Sequence, residues 1–353
     1  MTLLRRYIWR AVIMPALALA GILLLLDGLI SFVLELESLR NDYQVWQALQ
    51  YVVTTMPRKL ADFLPLAILL GALVGLGLLA NSGELTVMRA AGVSSQRITL
   101  YVLSPSIVLL CAGLLIAEYV VPFTEQIARA NRSLATSGGE AQRSGGGLWH
   151  REGGEFIYIS AVQANGVLHG ITRYRFDDNR QLQESQFIRR AIWQGKDWVL
   201  EDIRGTRLQA DRVVRWQRDS DRWSLGLTPD VLSILTLKPE HLALTKLYGY
   251  AHYLSQQGID GDEYLLVFWQ KLSQPVGVLG MVMIAVTFIF GPLRQVSMGL
   301  RMTAGIGAGL LFHYGQQFIG QLSLVFDMPP LWAAWAPAAF TVLVGVVLLQ
   351  RVR

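Results

Sequence analysis

Long apolar runs fill both ends of this 353-residue chain and flank a charged middle third. No other feature narrows the possible folds as much. A helix crossing a bilayer core needs roughly 20 predominantly apolar residues, with a range of about 17–25. Residues 11–34, 62–80, 100–121, 268–290, 302–323 and 331–349 each satisfy that requirement. The fifth is the least apolar, because Gly305, Gly307, Gly309 and Gly315 dilute it. Charged residues make up 16% of the chain, against about a quarter in a soluble domain, and they concentrate between the third and fourth runs. The expected fold class is therefore a helical membrane protein of six spans with an inserted water-exposed domain. Its organisation divides into 1–121, 122–262 and 263–353.

Basic residues orient the spans. Arg5, Arg6 and Arg10, Arg89 and Arg97, Arg294 and Arg301, and Arg351 and Arg353 lie on one set of flanks, with Glu84 as the acid among them. Short cytoplasmic loops carry the excess of Lys and Arg, so these flanks and both termini are expected inside. The insert is then outside. The basic start and Ala16-Leu17-Ala18 also have the form of a secretory signal, but the apolar run continues through Leu26 and Phe32, which favours a retained helix.

Several chemistries are excluded early. Cys111 is the sole cysteine, so no intramolecular disulfide or cysteine metal motif exists. His150, His169, His241, His252 and His313 are scattered, and none pairs at metal-ligand spacing, so no metal is expected. The net charge of +5 does not indicate nucleic acid. From Pro122 to Glu263 charges balance, and the surplus sits at the ends of apolar runs.

Within the insert, Gly138-Gly139 and Gly145-Gly146-Gly147 read as linkers. From about Leu148 to Leu227, β-rich runs such as Phe156-Ile157-Tyr158-Ile159 alternate with turn signals at Asp177-Asp178-Asn179, Gly195-Lys196-Asp197 and Asp219-Ser220-Asp221. Many short strands favour an open barrel, sandwich or jellyroll. Pro239 to Gln257 reads as a helix with Leu242, Leu247, Tyr250, Ala251 and Leu254 near one face.

Between the second and third spans, Ser82 is the expected N-cap of a short helix, Glu84 suits its first turn, and Gly92 can end it. Leu85, Met88 and Ala91 share a face. Such a helix is either an ordinary connector or a helix that docks in a partner's groove.

The segment Glu84-Leu85-Thr86-Val87-Met88-Arg89-Ala90-Ala91-Gly92-Val93-Ser94 resembles the coupling helix of the paired permeases of the lipopolysaccharide-export ABC transporter, the LptF/LptG family. Leu64-Pro65-Leu66-Ala67, Leu70-Gly71-Ala72-Leu73, Glu118-Tyr119-Val120-Val121-Pro122 and Ile289-Phe290-Gly291-Pro292-Leu293-Arg294 extend the resemblance over essentially the whole chain. Asn81-Ser82-Gly83-Glu84 and Gly147-Leu148-Trp149 are more similar to the G-type than to the F-type subunit.

The resemblance implies a periplasmic β-jellyroll between the third and fourth of six spans, in the Gram-negative inner membrane. It implies a second related permease, a dimer of cytoplasmic ABC ATPases, a periplasmic jellyroll bridge and lipopolysaccharide as partners, besides membrane lipids. It also implies a non-catalytic chain without its own cofactor. No Gly-x-x-x-x-Gly-Lys-Ser/Thr occurs here, so ATP and Mg would be bound by the partner ATPase. Glu84 and Arg89 are the expected polar docking contacts, Leu85 and Met88 the apolar anchors, and Ser82, Ala91 and Gly92 complete the helix.

The substrate's phosphates would need cations near the outer interface, where arginine suits phosphate. Arg40, Arg58, Lys59, Arg129 and Arg132 are the candidates, with surface solvation or lipid contact as the plainer role. Glu35, Glu37 and Asp42 make the segment after the first span more acidic than the G-type pattern. Its acyl chains would need an apolar cavity, for which Leu26, Ile30, Phe32, Phe312, Phe318, Leu322 and Phe326 are candidates. Asp27 is read as a structural polar contact or a group facing a wet cavity, because no second buried acid completes a proton relay. Glu118 and Lys271 are expected near the outer interface. Two other classes compete: an ABC-like mechanotransmission or lipoprotein-release subunit, which typically has four spans, and a membrane enzyme, for which no cluster of His, Ser or acids exists.

Overall fold

The computed structural model describes residues 2–39, 43–137, 148–152, 154–162, 166–177, 181–209, 212–224, 228–229, 231–232, 237–256, 260–290 and 297–351. Arg40, Asp42, the two Gly-rich linkers and the segment 291–296 lie outside the described residues. Two compact units emerge. One holds residues 1–27, 57–119 and 243–353, the other residues 28–56 and 120–242.

The first unit is helical. Helix α1 spans Thr2–Leu36 and α2 spans Val45–Asn81, both running on into the second unit. A short α3, Glu84–Ala90, precedes α4, Ser95–Leu115. Ser94 caps α4 by accepting a hydrogen bond from the Arg97 N–H at 3.3 Å. A π-helical turn, Ile116–Val120, follows α4, and α5 continues over Val121–Ser137. After the sheet come α6, Leu244–Gln256, α7, Asp262–Phe290, α8, Met298–Val325, and α9, Pro330–Arg351. Acids at Asp262 and Glu263 suit the start of α7, and Pro330 opens α9, where no N–H is required.

Five of these helices are long and apolar enough to cross a membrane: α1, α2, the continuous Ser95–Thr136 rod, α7 and α9. The predicted fifth span is present as α8 and carries no charged side chain from Met302 to Phe326. Its glycines, with His313, Gln316, Gln317 and Gln321, hold it below the hydropathy of the other five. The count of six therefore exceeds the five that length and composition support.

Small residues let these helices approach. Ala16 touches α2 at Gly71, and Ala11 touches it at Gly75; a Cβ on Gly75 would lie 1.9 Å from the Ala11 carbonyl oxygen. This small-xxx-small pair is a device of helix packing in lipid. Gly280 of α7 and Gly345 of α9 meet in the same way, and Gly305 and Gly309 seat α8 on Leu73, Leu66 and Leu69 of α2. The core gathers Ile8 and Val12, Leu64, Ile68 and Leu76, Ile98 and Val102, and Val278, Val282 and Val286. Helix α6 buries Leu247, Tyr250, Ala251 and Leu254, the face predicted for it, and Leu242 just before it is buried as well.

The second unit is built on a six-stranded antiparallel sheet in sequential order: β1 Leu148–Glu152, β2 Glu155–Val162, β3 Val167–Phe176, β4 Leu182–Trp193, β5 Trp198–Leu208 and β6 Val213–Trp223. All-β structure agrees with the sequence pattern, and the expected turn at Gly195-Lys196-Asp197 joins β4 to β5. Asp178 and Asn179 lie outside the described residues. The turn expected at Asp219-Ser220-Asp221 does not form: those residues lie within β6, where Ser220 and Asp221 pair with Glu201 and Leu200 of β5. A jellyroll would add crossing connections between two sheets; the described strands form one meander.

The sheet's buried face changes phase along the strands. Ile159, Ile171, Ile188 and Ile203 pair in one buried row, and Val162, Leu168, Ala191 and Leu200 in another three residues away. Alternating strands cannot bury both rows on one side, because side chains repeat every two residues. The step falls where Gly170 and Asp202 take φ of 61° and 50-odd degrees (51°), which reverses the pleat on β3 and β5. Trp198 and Trp223 pack over the resulting core.

Candidate functional site

Helix α3 is the element the sequence singled out. Its N-cap position is Gly83, at φ 78°, rather than Ser82. The Ser82 hydroxyl instead donates to Glu84 Oε1 at 3.0 Å. The far end closes as expected. Gly92, at φ 84°, donates to the Arg89 carbonyl, and Val93 donates to that of Met88 at 3.1 Å. This is a Schellman motif, which needs the left-handed residue glycine supplies.

Leu85 and Met88 do not face outward. Leu85 is 4% exposed within the helical core, and Met88 packs partly against it. A short apolar face beside a membrane bundle is claimed first by that bundle. The outward side consists of Thr86, Val87, Ala90 and Ala91, with Val87 68% exposed. Arg89 lies over the Phe290 ring at 5.7 Å. It borders two clefts, one of about 390 Å³ with Ala80, Thr86 and Phe290 and one of about 340 Å³ with Gly92, Ser95 and Leu349. The sequence reading did not single out Val87, the exposed apolar residue of α3. Once Leu85 is assigned inward, helical spacing alone places Val87 on the opposite side.

The basic candidates are already engaged. Lys59 is buried and forms an ion pair with Asp27, which makes Asp27 a structural polar contact, as read. Arg58 is half-buried. Arg129 donates to Glu125 at 3.2 Å and contacts His241 Nδ1 at 3.1 Å. Arg132 pairs with Glu35 and lies over the Tyr51 ring at 5.4 Å. Tyr43 and Ser38 donate to the same carboxylate at 2.9 and 3.0 Å. Burial, and then the hydrogen bond to Glu35, push the Tyr43 hydroxyl above its ordinary pKa. The acid that made this segment look unlike a phosphate clamp is thus the counter-charge of Arg132.

The apolar candidates separate. Leu26, Ile30, Phe318 and Phe326 are more than half exposed, and Leu322 is 36% exposed. Phe32 is half-buried. Phe312 belongs inside: it packs against the helical core, and a Cβ on Gly277 would lie 2.2 Å from its ring. Helix α8 therefore turns Gly305, Gly309 and Gly320 inward and Leu311, Tyr314, Phe318 and Val325 outward. Among the described residues no group of three or more His, Cys, Asp or Glu has metal-holding geometry.

The β unit carries its own charge ladder. Glu155 accepts from Arg173 at 2.6 Å and Arg175 at 2.8 Å. Glu184, buried, accepts from Trp216 at 3.0 Å and Arg207 at 3.2 Å. Burial of Glu155 acts to raise its pKa, but the two guanidiniums outweigh it and the net shift is downward. His169 is also shifted down, by burial first and by Arg190 second. The folded state thus binds fewer protons at both groups than the unfolded chain. Stability from His169 is present above its ordinary 6.5 and lost as pH falls below it. Stability from Glu155 is present above its ordinary 4.5 and lost as pH falls through its lower folded value. Denaturation of the full chain followed by tryptophan fluorescence is expected to give falling β-unit stability from pH 7 to pH 4. In His169→Gln the part lost near pH 6 should disappear.

A bundle of apolar helices interrupted by an antiparallel β unit defines a multi-pass membrane protein with an inserted extramembrane domain. The sequence matches the family described as "Lipopolysaccharide export system permease LptF/LptG" over residues 6–351. The chain belongs to that family. It is 36% identical over 352 residues to the lipopolysaccharide export system permease protein LptG of Escherichia coli K12, covering 99% of this chain and 98% of that one. It is 33% identical over 353 residues to LptG of Haemophilus influenzae, covering 99% of each. The resemblance to the G-type subunit agrees with both.

Proposed function

We propose that this chain is a permease subunit that extracts lipopolysaccharide from the inner membrane and passes it toward a periplasmic bridge, driven by a separate cytoplasmic ATPase. The observation that carries this reading is the end-to-end match to permeases named for lipopolysaccharide export. In it, α8 serves as a sixth span, both termini are cytoplasmic, and the β unit is periplasmic and completes a jellyroll. A second related permease pairs against the exposed apolar faces of α1 and α8. Two ATPase copies, holding ATP and Mg, dock below, one of them on α3. Phosphates meet arginine from Arg58, Arg129 and Arg132, and acyl chains meet Leu26, Ile30, Phe318, Leu322 and Phe326.

The deciding experiment is photocrosslinking from positions 26, 30 and 318 to lipopolysaccharide in a complex purified with its subunits identified by mass. Crosslinks that depend on ATP support the reading; their absence, with a different cargo captured, removes it. Accessible cysteines at positions 86 and 215 should label from opposite sides of the membrane.

Glu84 accepts from Ser82 at the start of α3 and is the acid nearest the expected docking face. Glu84→Ala is expected to lower lipopolysaccharide release about fivefold, the scale of one exposed polar contact, while insertion is unchanged. Normal release and normal ATPase association in that variant would refute the role.

A further inference from the structure

The chain leaves the helical unit after Tyr119 and returns to it at Ala243. One carboxylate holds both places together. Glu118 Oε2 accepts from the Leu244 N–H at 2.6 Å, and Oε1 accepts from the Thr245 N–H at 3.4 Å and the Thr245 hydroxyl at 3.0 Å. Those N–H groups open α6, where a helix has no partners of its own for its first donors.

Ordinarily the residue before the helix supplies that partner from a Ser, Thr, Asp or Asn side chain. Here the residue is Ala243. Its carbonyl accepts the first intrahelical bond, from Leu247 at 3.0 Å, and its methyl group accepts nothing. The cap comes instead from a residue 126 positions earlier. Glu118 is presented by the five-residue π turn that interrupts the α4–α5 rod, and such turns recur where a helix must re-aim a functional side chain. The acid also matches the positive end of the α6 dipole. On its other side α6 rests on α7, with Tyr250 edge-on to Tyr264 at 4.9 Å.

We propose that Glu118 is a positioning residue. It staples the point where the chain departs for the β unit to the point where it comes back, so that displacement of the α4 end carries the start of α6 with it. The staple rests on the transport reading only for its effect on export.

The test uses the full chain in nanodiscs, with Cys111→Ser and spin labels at Leu115→Cys and Gly249→Cys. Leu115 is 59% exposed and a Cβ on Gly249 meets nothing within 4 Å. The parent should give one narrow distance. Glu118→Ala should broaden it, raising the displaced population roughly tenfold, as expected on losing charge-assisted hydrogen bonds. Adding Ala243→Ser, which restores a local cap, should leave the distance broad. In the assembled complex, Glu118→Ala should lower lipopolysaccharide released per ATP hydrolysed while hydrolysis continues. A narrow distance in Glu118→Ala overturns the staple. Full recovery with Ala243→Ser overturns it too, since Glu118 would then be an ordinary cap. Should Glu118→Ala fail to fold, Glu118→Gln, which keeps one acceptor oxygen, must give intermediate broadening or the proposal falls. If the parent complex moves no lipopolysaccharide while the distances behave as stated, the transport reading fails and the staple stands.

Discussion

Leucine in place of Gly75 is expected to keep this chain from accumulating as a folded membrane protein. The position has no room for any side chain: a Cβ there would lie 1.9 Å from the Ala11 carbonyl oxygen and 2.7 Å from its carbon. Both atoms are backbone, so no rotamer change relieves the contact. Helix α1 would have to move off α2 along the line where Ala16 also meets Gly71. In lipid that separation removes close dispersion contact with no hydrophobic gain to offset it. The expected loss is about 3 kcal/mol or more, at or beyond the upper end for overpacked cores. Gly75→Ala should be intermediate. Gly21→Ala is the control, because a Cβ on Gly21 of the same α1 meets nothing within 4 Å. Yield in the membrane fraction and thermal aggregation in detergent read the series. Wild-type stability in Gly75→Leu would mean the two helices do not touch there.

That contact was only partly legible beforehand. Gly71, Gly75 and Gly77 recur at short spacing in α2, but composition does not name the helix that packs on them. The structure assigns Gly71 and Gly75 to α1 of the same chain. Elsewhere the pattern was sufficient. The apolar runs, the β-rich middle and the buried face of α6 follow from hydrophobic periodicity, which is a local property. What failed to follow was partner choice over long separations. Glu118 was expected near the outer interface, and no local pattern pointed to the helix it caps 126 residues on. Arg132 was expected to await phosphate, and its partner Glu35 sits 97 residues before it. The acids after the first span had been read as a departure from the family's pattern. Their proximity to Arg132 needed the fold, because no spacing rule links α1 to α5. Hydropathy is least decisive for α8, a long helix whose outward row His313, Gln317 and Gln321 lowers its hydropathy without adding charge.

Helix α3 offers the sharpest functional test, because its two apolar sides make opposite predictions. Val87→Arg is expected to leave insertion and folding intact, since Val87 is 68% exposed and arginine is a good helix former. If the ATPase docks on that side, a bulky charge at the centre of the contact should weaken association by about 30-fold, the scale of a 2 kcal/mol hot spot. Leu85→Ala should do the reverse. Leu85 is 4% exposed in the helical core, so its truncation should cost the chain about 2–5 kcal/mol of stability. ATPase should then be lost only in proportion to unfolded permease. The two effects separate when ATPase retained on an affinity column is divided by the folded permease eluted with it. A Val87→Arg chain that keeps its ATPase at wild-type affinity would move the docking surface away from this face. Arg89 and the two clefts it borders would then be the next contacts to substitute, since Arg89 is exposed and reaches both.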